Sequence, residues 1–189
     1  DGVTHDIGKD IGSFTIDTNN IGYVAYNKNL DPGGGLPILK APVMFSFALE
    51  DASTVENNVA EVIGSIPIPG FSINPAVDDN ISGMSFDPTT GELYGPAPDK
   101  LLLVSKEDAS LIADLGEMRN DALGAIVEDG EAIEFDESGN LYISDNWDDQ
   151  LYQVNPQTAE IMSIIDDDER GGLTDIGSQL KTEGLAWDP

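Results

Sequence analysis

The residues of this chain best able to do chemistry are carboxylates. The sequence holds 36 Asp and Glu against 8 Lys and Arg, for a formal net charge of -28. Many fall in short runs: Asp78-Asp79, Glu128-Asp129, Asp148-Asp149 and Asp166-Asp167-Asp168-Glu169. Hard cations such as calcium take several oxygen ligands of this kind. A run of like charges is also, more plainly, a solvated segment that repels itself. Glu131 and Glu183 stand apart from the runs. Each immediately precedes one recurring pattern, Ala132-Ile133-Glu134-Phe135-Asp136 and Gly184-Leu185-Ala186-Trp187-Asp188. A repeat fold would bring both to equivalent places, where they could face one calcium ion. The same position in the two earlier copies is Gly12 and Ser82, which offer no carboxylate.

Other reactive chemistry is sparse. His5 is the single histidine and there is no cysteine, so thiolate metal sites and disulfides are impossible. No G-x-S-x-G elbow presents a serine. Asp31-Pro32-Gly33-Gly34-Gly35 matches neither phosphate-binding glycine pattern. No catalytic set and no organic cofactor follows from these residues. Trp147 lies beside Asp145 and Asn146. These three are candidate partner-binding residues, with the indole stacking on a glycan or anchoring a protein. An indole there could equally cap a hydrophobic core.

The charge bounds the partners. A strongly acidic surface repels nucleic acid and anionic membranes, so neither is expected to bind. It suits a salty medium, halophilic or marine, where screening removes self-repulsion. No apolar run approaches the roughly 20 residues of a membrane-spanning helix. Hydrophobic residues make up 40% of the chain, enough for a core. The chain starts at Asp1, which reads as a mature or excised piece of something longer.

The elements that would position these residues come from an internal repeat of about 50 residues, a period that suits propeller blades. Phe135-Asp136 falls on Phe86-Asp87, and Leu141-Tyr142 on Leu93-Tyr94. Leu151-Tyr152-Gln153-Val154 falls on Leu101-Leu102-Leu103-Val104. A diverged first copy has Phe14-Thr15-Ile16-Asp17 and Tyr23, and Glu50-Asp51-Ala52-Ser53 recurs letter for letter as Glu107-Asp108-Ala109-Ser110. Turn residues separate the segments: Asp87-Pro88-Thr89-Thr90-Gly91, Asp136-Glu137-Ser138-Gly139-Asn140 and Asn155-Pro156-Gln157-Thr158. The expectation is an all-β, partial β-propeller of four-stranded antiparallel blades. It places blade 1 at 12-66, blade 2 at 81-116, blade 3 at 130-165 and the first strand of a fourth at 182-189. A short helical turn is expected around 117-123. Four long connections, 27-41, 67-81, 117-130 and 166-182, are expected on one face, where binding commonly resides.

The segments Gly139-Asn140-Leu141-Tyr142-Ile143-Ser144-Asp145, Leu151-Tyr152-Gln153-Val154-Asn155-Pro156 and Glu183-Gly184-Leu185-Ala186-Trp187-Asp188-Pro189 resemble the bacterial and archaeal secreted propellers. That group spans gluconolactonases, senescence-marker-type lactonases, NHL repeats and YncE-like surface propellers. The likeness covers residues 81-189 well and 12-66 weakly. It implies an extracellular, cell-surface or periplasmic location. In the lactonases an acid or Asn before the first strand of several blades holds a divalent metal, often calcium. That role would fall here on Glu131 and Glu183, and Gly12 and Ser82 depart from the pattern. The reading is a non-catalytic extracellular module that binds a protein or glycan, with an acidic, calcium-binding loop face. A metal-dependent lactonase-like hydrolase is one alternative. A structural subunit is another, its remaining blades supplied by the same longer protein or a neighbouring chain.

Overall fold

Alternating apolar residues broken by Asp, Gly and Pro turns give short strands, and these form antiparallel sheets with no helix among the described residues. The computed structural model describes residues 11–30, 39–48, 61–67, 81–147 and 150–165. Strands β1 (Ile11–Ile16), β2 (Ile21–Leu30), β3 (Leu39–Ala48) and β4 (Glu61–Ser65) form the first four-stranded sheet, hydrogen-bonded in chain order. The second has β5 (Ser85–Phe86), β6 (Leu93–Ala97), β7 (Lys100–Val104) and β8 (Leu111–Glu117), again in chain order. After a hairpin of β9 (Arg119–Asn120) and β10 (Ala125–Ile126) comes the third. It is built from β11 (Gly130–Phe135), β12 (Leu141–Asp145), β13 (Gln150–Val154) and β14 (Ile161–Ile164). The three sheets are the blades of a β-propeller.

The core lies between blades. In β5–β8, Met84, Leu93, Leu102 and Val104 bury against Tyr23, Ala25 and Met44 of blade 1. The opposite side of the same sheet, with Tyr94, Leu101 and Leu103, meets Ile133, Phe135, Leu141, Ile143, Tyr152 and Val154 of blade 3. Period-two alternation therefore feeds two interfaces, one from each side of a strand. One aromatic contact recurs at both. Tyr23 meets Phe86 at 5.3 Å and Tyr94 meets Phe135 at 5.3 Å, centroid to centroid. Lys106 adds a polar latch, its Nζ lying 3.3 Å from Asp17 Oδ2 and over the Phe86 ring.

The turn from first to second strand repeats in chemistry. Asp17 Oδ1 accepts the N–H groups of Asn19 and Ile21, and Asp136 Oδ1 those of Ser138 and Asn140. Asp87 Oδ1 accepts the N–H and the hydroxyl of Thr89, both at 2.7 Å. Gly91, Gly139 and Asn20 close these turns at positive φ, which Gly and Asn tolerate. In the turn from third to fourth strand, Ala109 and Ala159 sit at φ 58° with their side chains fully buried.

Two expectations about the connections are corrected. Segment 117–123 holds no helical turn. The Asn120 side chain accepts the N–H groups of Ala122 and Leu123, and Gly124 takes φ 65°, folding the segment into the β9–β10 hairpin. The Asx turn supplies a competing local hydrogen bond and wins over helix. Segment 27–41 is not a loop throughout: β2 and β3 stay paired to Leu30 and Leu39. The densest turn-forming run is Asp31-Pro32-Gly33-Gly34-Gly35, and the ladder runs on through Asn27 and Asn29 in its flank. The expected strand at 182-189 and the connection 166-182 lie outside the described residues.

Candidate functional site

The site is assembled where β12 ends and β11 begins. Gly130 pairs with Asp145, and the register slips between Gly130 and Ala132, so Glu131 is the extra residue of a bulge. A bulge re-aims the side chain it carries. The Gly130 N–H donates to Pro98 O at 2.8 Å, and the close approach favours glycine because an added Cβ would meet Pro96 Cβ at 3.1 Å and Pro98 O at 3.2 Å. The segment 127–131 is thereby held against the β6–β7 turn of blade 2.

Asp145 fixes the rest. Its side chain is buried, and its Oδ2 accepts the Glu128 N–H at 2.6 Å while Oδ1 accepts the Trp147 N–H at 2.6 Å. One carboxylate thus ties two separate loops. The Asn146 N–H donates to Asp129 O at 2.9 Å, and its side-chain amide reaches Asp129 Oδ2 at 3.4 Å and Glu131 Oε1 at 3.5 Å. Trp147 projects from this braced loop and is 75% exposed. Of the two roles open to its indole, capping a core is the one its exposure does not fit.

The structure brings Asp145, Asn146, Trp147 and Glu131 into one cluster with Asp129. Asp145 and Asn146 hold the loops by their side chains, and Trp147 is the one that faces solvent. The Asn146 side-chain nitrogen is shared by a carboxylate oxygen of Asp129 and one of Glu131. Among the described residues no group of three or more His, Asp or Glu side chains is placed to hold a metal ion. Glu183, His5, Asp78-Asp79, Asp148-Asp149 and the run 166–169 lie outside the described residues, as does the glycine run 33–35.

A second feature joins the first strands of two blades. Glu134 reaches Ser85 Oγ at 3.3 Å, from the first strand of blade 3 to that of blade 2. Burial raises its carboxyl above the usual carboxylate range, and the Ser85 hydroxyl only partly offsets this. Nothing in the spacing of Glu134 marked it, because a Glu at alternate positions of a strand reads as a solvent-facing residue. The aspartates at 17, 87 and 136 were visible as a repeated letter, and the fold gives them a turn-forming role.

No protein-family model matches this sequence, and neither does any curated protein. Solved structures do match. A chain of the nidogen/laminin complex superposes with a TM-score of 0.51 at 12% identity, over 83% of this chain and 49% of that one. U3-55K superposes with a TM-score of 0.52 at 10% identity, over 86% of this chain and 40% of that one. The WD40 repeats of RRP9 give 0.51 at 10% identity, over 86% and 39%. All show the same fold, a β-propeller, and this chain spans less than half the length of each. No helix among the described residues is long and apolar enough to cross a membrane.

Proposed function

We propose that the protein is a β-propeller interaction module that binds a protein or glycan partner through the loop presenting Trp147, in an extracellular or cell-surface setting. The observation that carries this reading is a large aromatic held in water by a rigid base. Trp147 is exposed while the carboxylate that fixes its backbone is buried. An indole exposed on a braced loop loses little conformational entropy on docking and supplies a large contact area, the properties of an anchor residue. Structures of like fold support it: one was solved in a complex of nidogen with laminin. The acidic surface, at a net charge of -28, selects for a neutral or cationic partner.

A binding screen over extracellular-matrix proteins and a glycan array tests the reading. The expected outcome is a ligand whose affinity falls about tenfold or more in Trp147→Ala, as for a hot-spot residue. Binding that is indifferent to Trp147→Ala overturns it. The same reading places a calcium ion against Asp129 and Glu131, with Glu183 as a further ligand. Calcium titration of the wild type and of Glu131→Gln by calorimetry tests that part, and equal heats in the two proteins remove it. Calcium-dependent lactone hydrolysis would favour the hydrolase alternative instead.

A further inference from the structure

Each blade has one side that receives the blade before it, and the register fixes which residues form that side. In blade 2 they are Met84, Phe86, Leu93, Leu102 and Val104, and in blade 3 Ile133, Phe135, Leu141, Tyr152 and Val154. The same register positions in blade 1 are Phe14, Ile16, Gly22, Phe45 and Phe47. The first two instances are covered: Met84 and Ile133 are each 4% exposed. In the third, Phe14 is 51% exposed, Ile16 46% and the neighbouring Val62 61%. Phe14 and Phe47 stack at 6.0 Å on this side, and Gly22 leaves them room, since a Cβ there would meet the Phe47 ring at 2.8 Å. An apolar sheet face of this kind in a chain of such high charge is a surface made to be buried.

The two covered instances state what covers it. Each is met by a blade whose second strand lays a tyrosine ring on the last apolar residue of the receiving first strand. These pairs are Tyr23 on Phe86 and Tyr94 on Phe135. Small or aliphatic residues follow, Ala25 and Met44 in one case and Leu101 and Leu103 in the other. Ile16 occupies the receiving position in blade 1. We propose that the face of blade 1 bearing Phe14, Ile16 and Val62 docks one further four-stranded propeller blade, which seats a tyrosine ring on Ile16. The docked blade is none of the three described sheets, each of which is already placed. The inference rests on the fold and the register, and is independent of the Trp147 reading.

The probe is the chain's own blade 2, which already has the required chemistry on its outgoing side. An additional copy of residues 81–129 is placed ahead of Asp1 in the otherwise complete chain. Seating it raises Tm by about 5 °C or more and abolishes most of the anilinonaphthalene-sulfonate fluorescence of the parent. Replacing the tyrosine of the added copy that corresponds to Tyr94 by alanine reverses both effects. Unchanged Tm and dye binding overturn the proposal. In the parent chain, Phe14→Asp lowers dye binding while the midpoint of thermal unfolding stays within experimental spread. Dye binding that is indifferent to this substitution also overturns it. Light scattering supplies the last arm: a concentration-dependent dimer abolished by Phe14→Asp assigns the face to a second copy and removes the added blade as occupant.

Discussion

At the scale of single residues, the turn aspartates carry the most physical content. Burial pushes the carboxyls of Asp17 and Asp87 up, but the hydrogen bonds they accept outweigh it, and both end below the ordinary carboxylate value. For Asp136 the Asn140 amide is the largest influence, and its carboxyl is lowered too. A carboxylate depressed in the folded state adds stability above its unfolded pKa of about 3.9 and loses it as pH falls through the lower folded value. Urea midpoints are therefore expected to hold from pH 7 to 5 and to drop below about pH 4. Asp136→Asn lowers the midpoint at pH 6, and its deficit against wild type narrows by pH 3. A parallel pair of curves would contradict this. Tyr23 is the mirror case: burial, and then the Asp17 charge, push its hydroxyl up to about 12. Tyr94 is raised by burial and by its hydrogen bond to Glu92. Spectrophotometric titration of the folded protein at pH 10–11 should show less phenolate than the unfolded chain.

The same scale shows where sequence reasoning stops. Trp147, Asp145 and Asn146 were legible as a group because they are adjacent. Their division of labour was not. One partner of the Asp145 carboxylate is the Glu128 N–H, 17 residues away, and the β11–β12 register brings the two together. Glu134 was silent for a similar reason, since what makes it unusual is Ser85 on another blade.

At the scale of elements, blade-to-blade packing is set by small residues as much as by large ones. A Cβ at Gly64 would lie 2.5 Å from Asp108 O and 3.2 Å from the Ala109 Cβ, in the adjoining blade. Gly64→Ala is expected to destabilise by about 2 kcal/mol as an overpacked contact with backbone, measured by urea unfolding. The buried turn alanines give a companion test. Ala159 is fully buried at φ 58°, a conformation that a β-branched side chain resists. Ala159→Val should cost about 2–3 kcal/mol from strain and overpacking together, and a change within 0.5 kcal/mol would refute the account. The four-strand unit was legible in blades 2 and 3 because Phe-Asp, Gly, Leu-Tyr and Leu recur in the same order at similar intervals. Blade 1 was fainter because Gly22 stands where Leu93 and Leu141 stand. The β9–β10 hairpin was illegible because its Asn120 turn is too short a signal against a helix reading, and its contact to β14 is tertiary.

At the scale of the whole molecule, a net charge of -28 on 189 residues loads the surface with self-repulsion. Screening relieves it, so Tm should rise steadily as NaCl goes from 0.05 to 1 M, most steeply at the low end where the Debye length changes most. A flat profile would show the charges to be already neutralised by bound counterions. The propeller itself was legible from the repeat period, and solved structures at 10–12% identity carry the same fold. The location and the ligand belong to surface detail that a repeat does not encode.

The β9–β10 hairpin has one more implication. It belongs to the stretch that leads the chain into blade 3, yet the Asn120 amide donates to Ile161 O at 2.8 Å, and Arg119 bridges Glu160 in parallel. The strand farthest from the axis is thus clasped by the segment that arrives first. Peeling blade 3 from its rim requires undoing its point of arrival as well, so its opening and closing become a single event. Amide hydrogens along β14 should then exchange at the rate of the blade as a whole, and not at the faster rate of a fraying border.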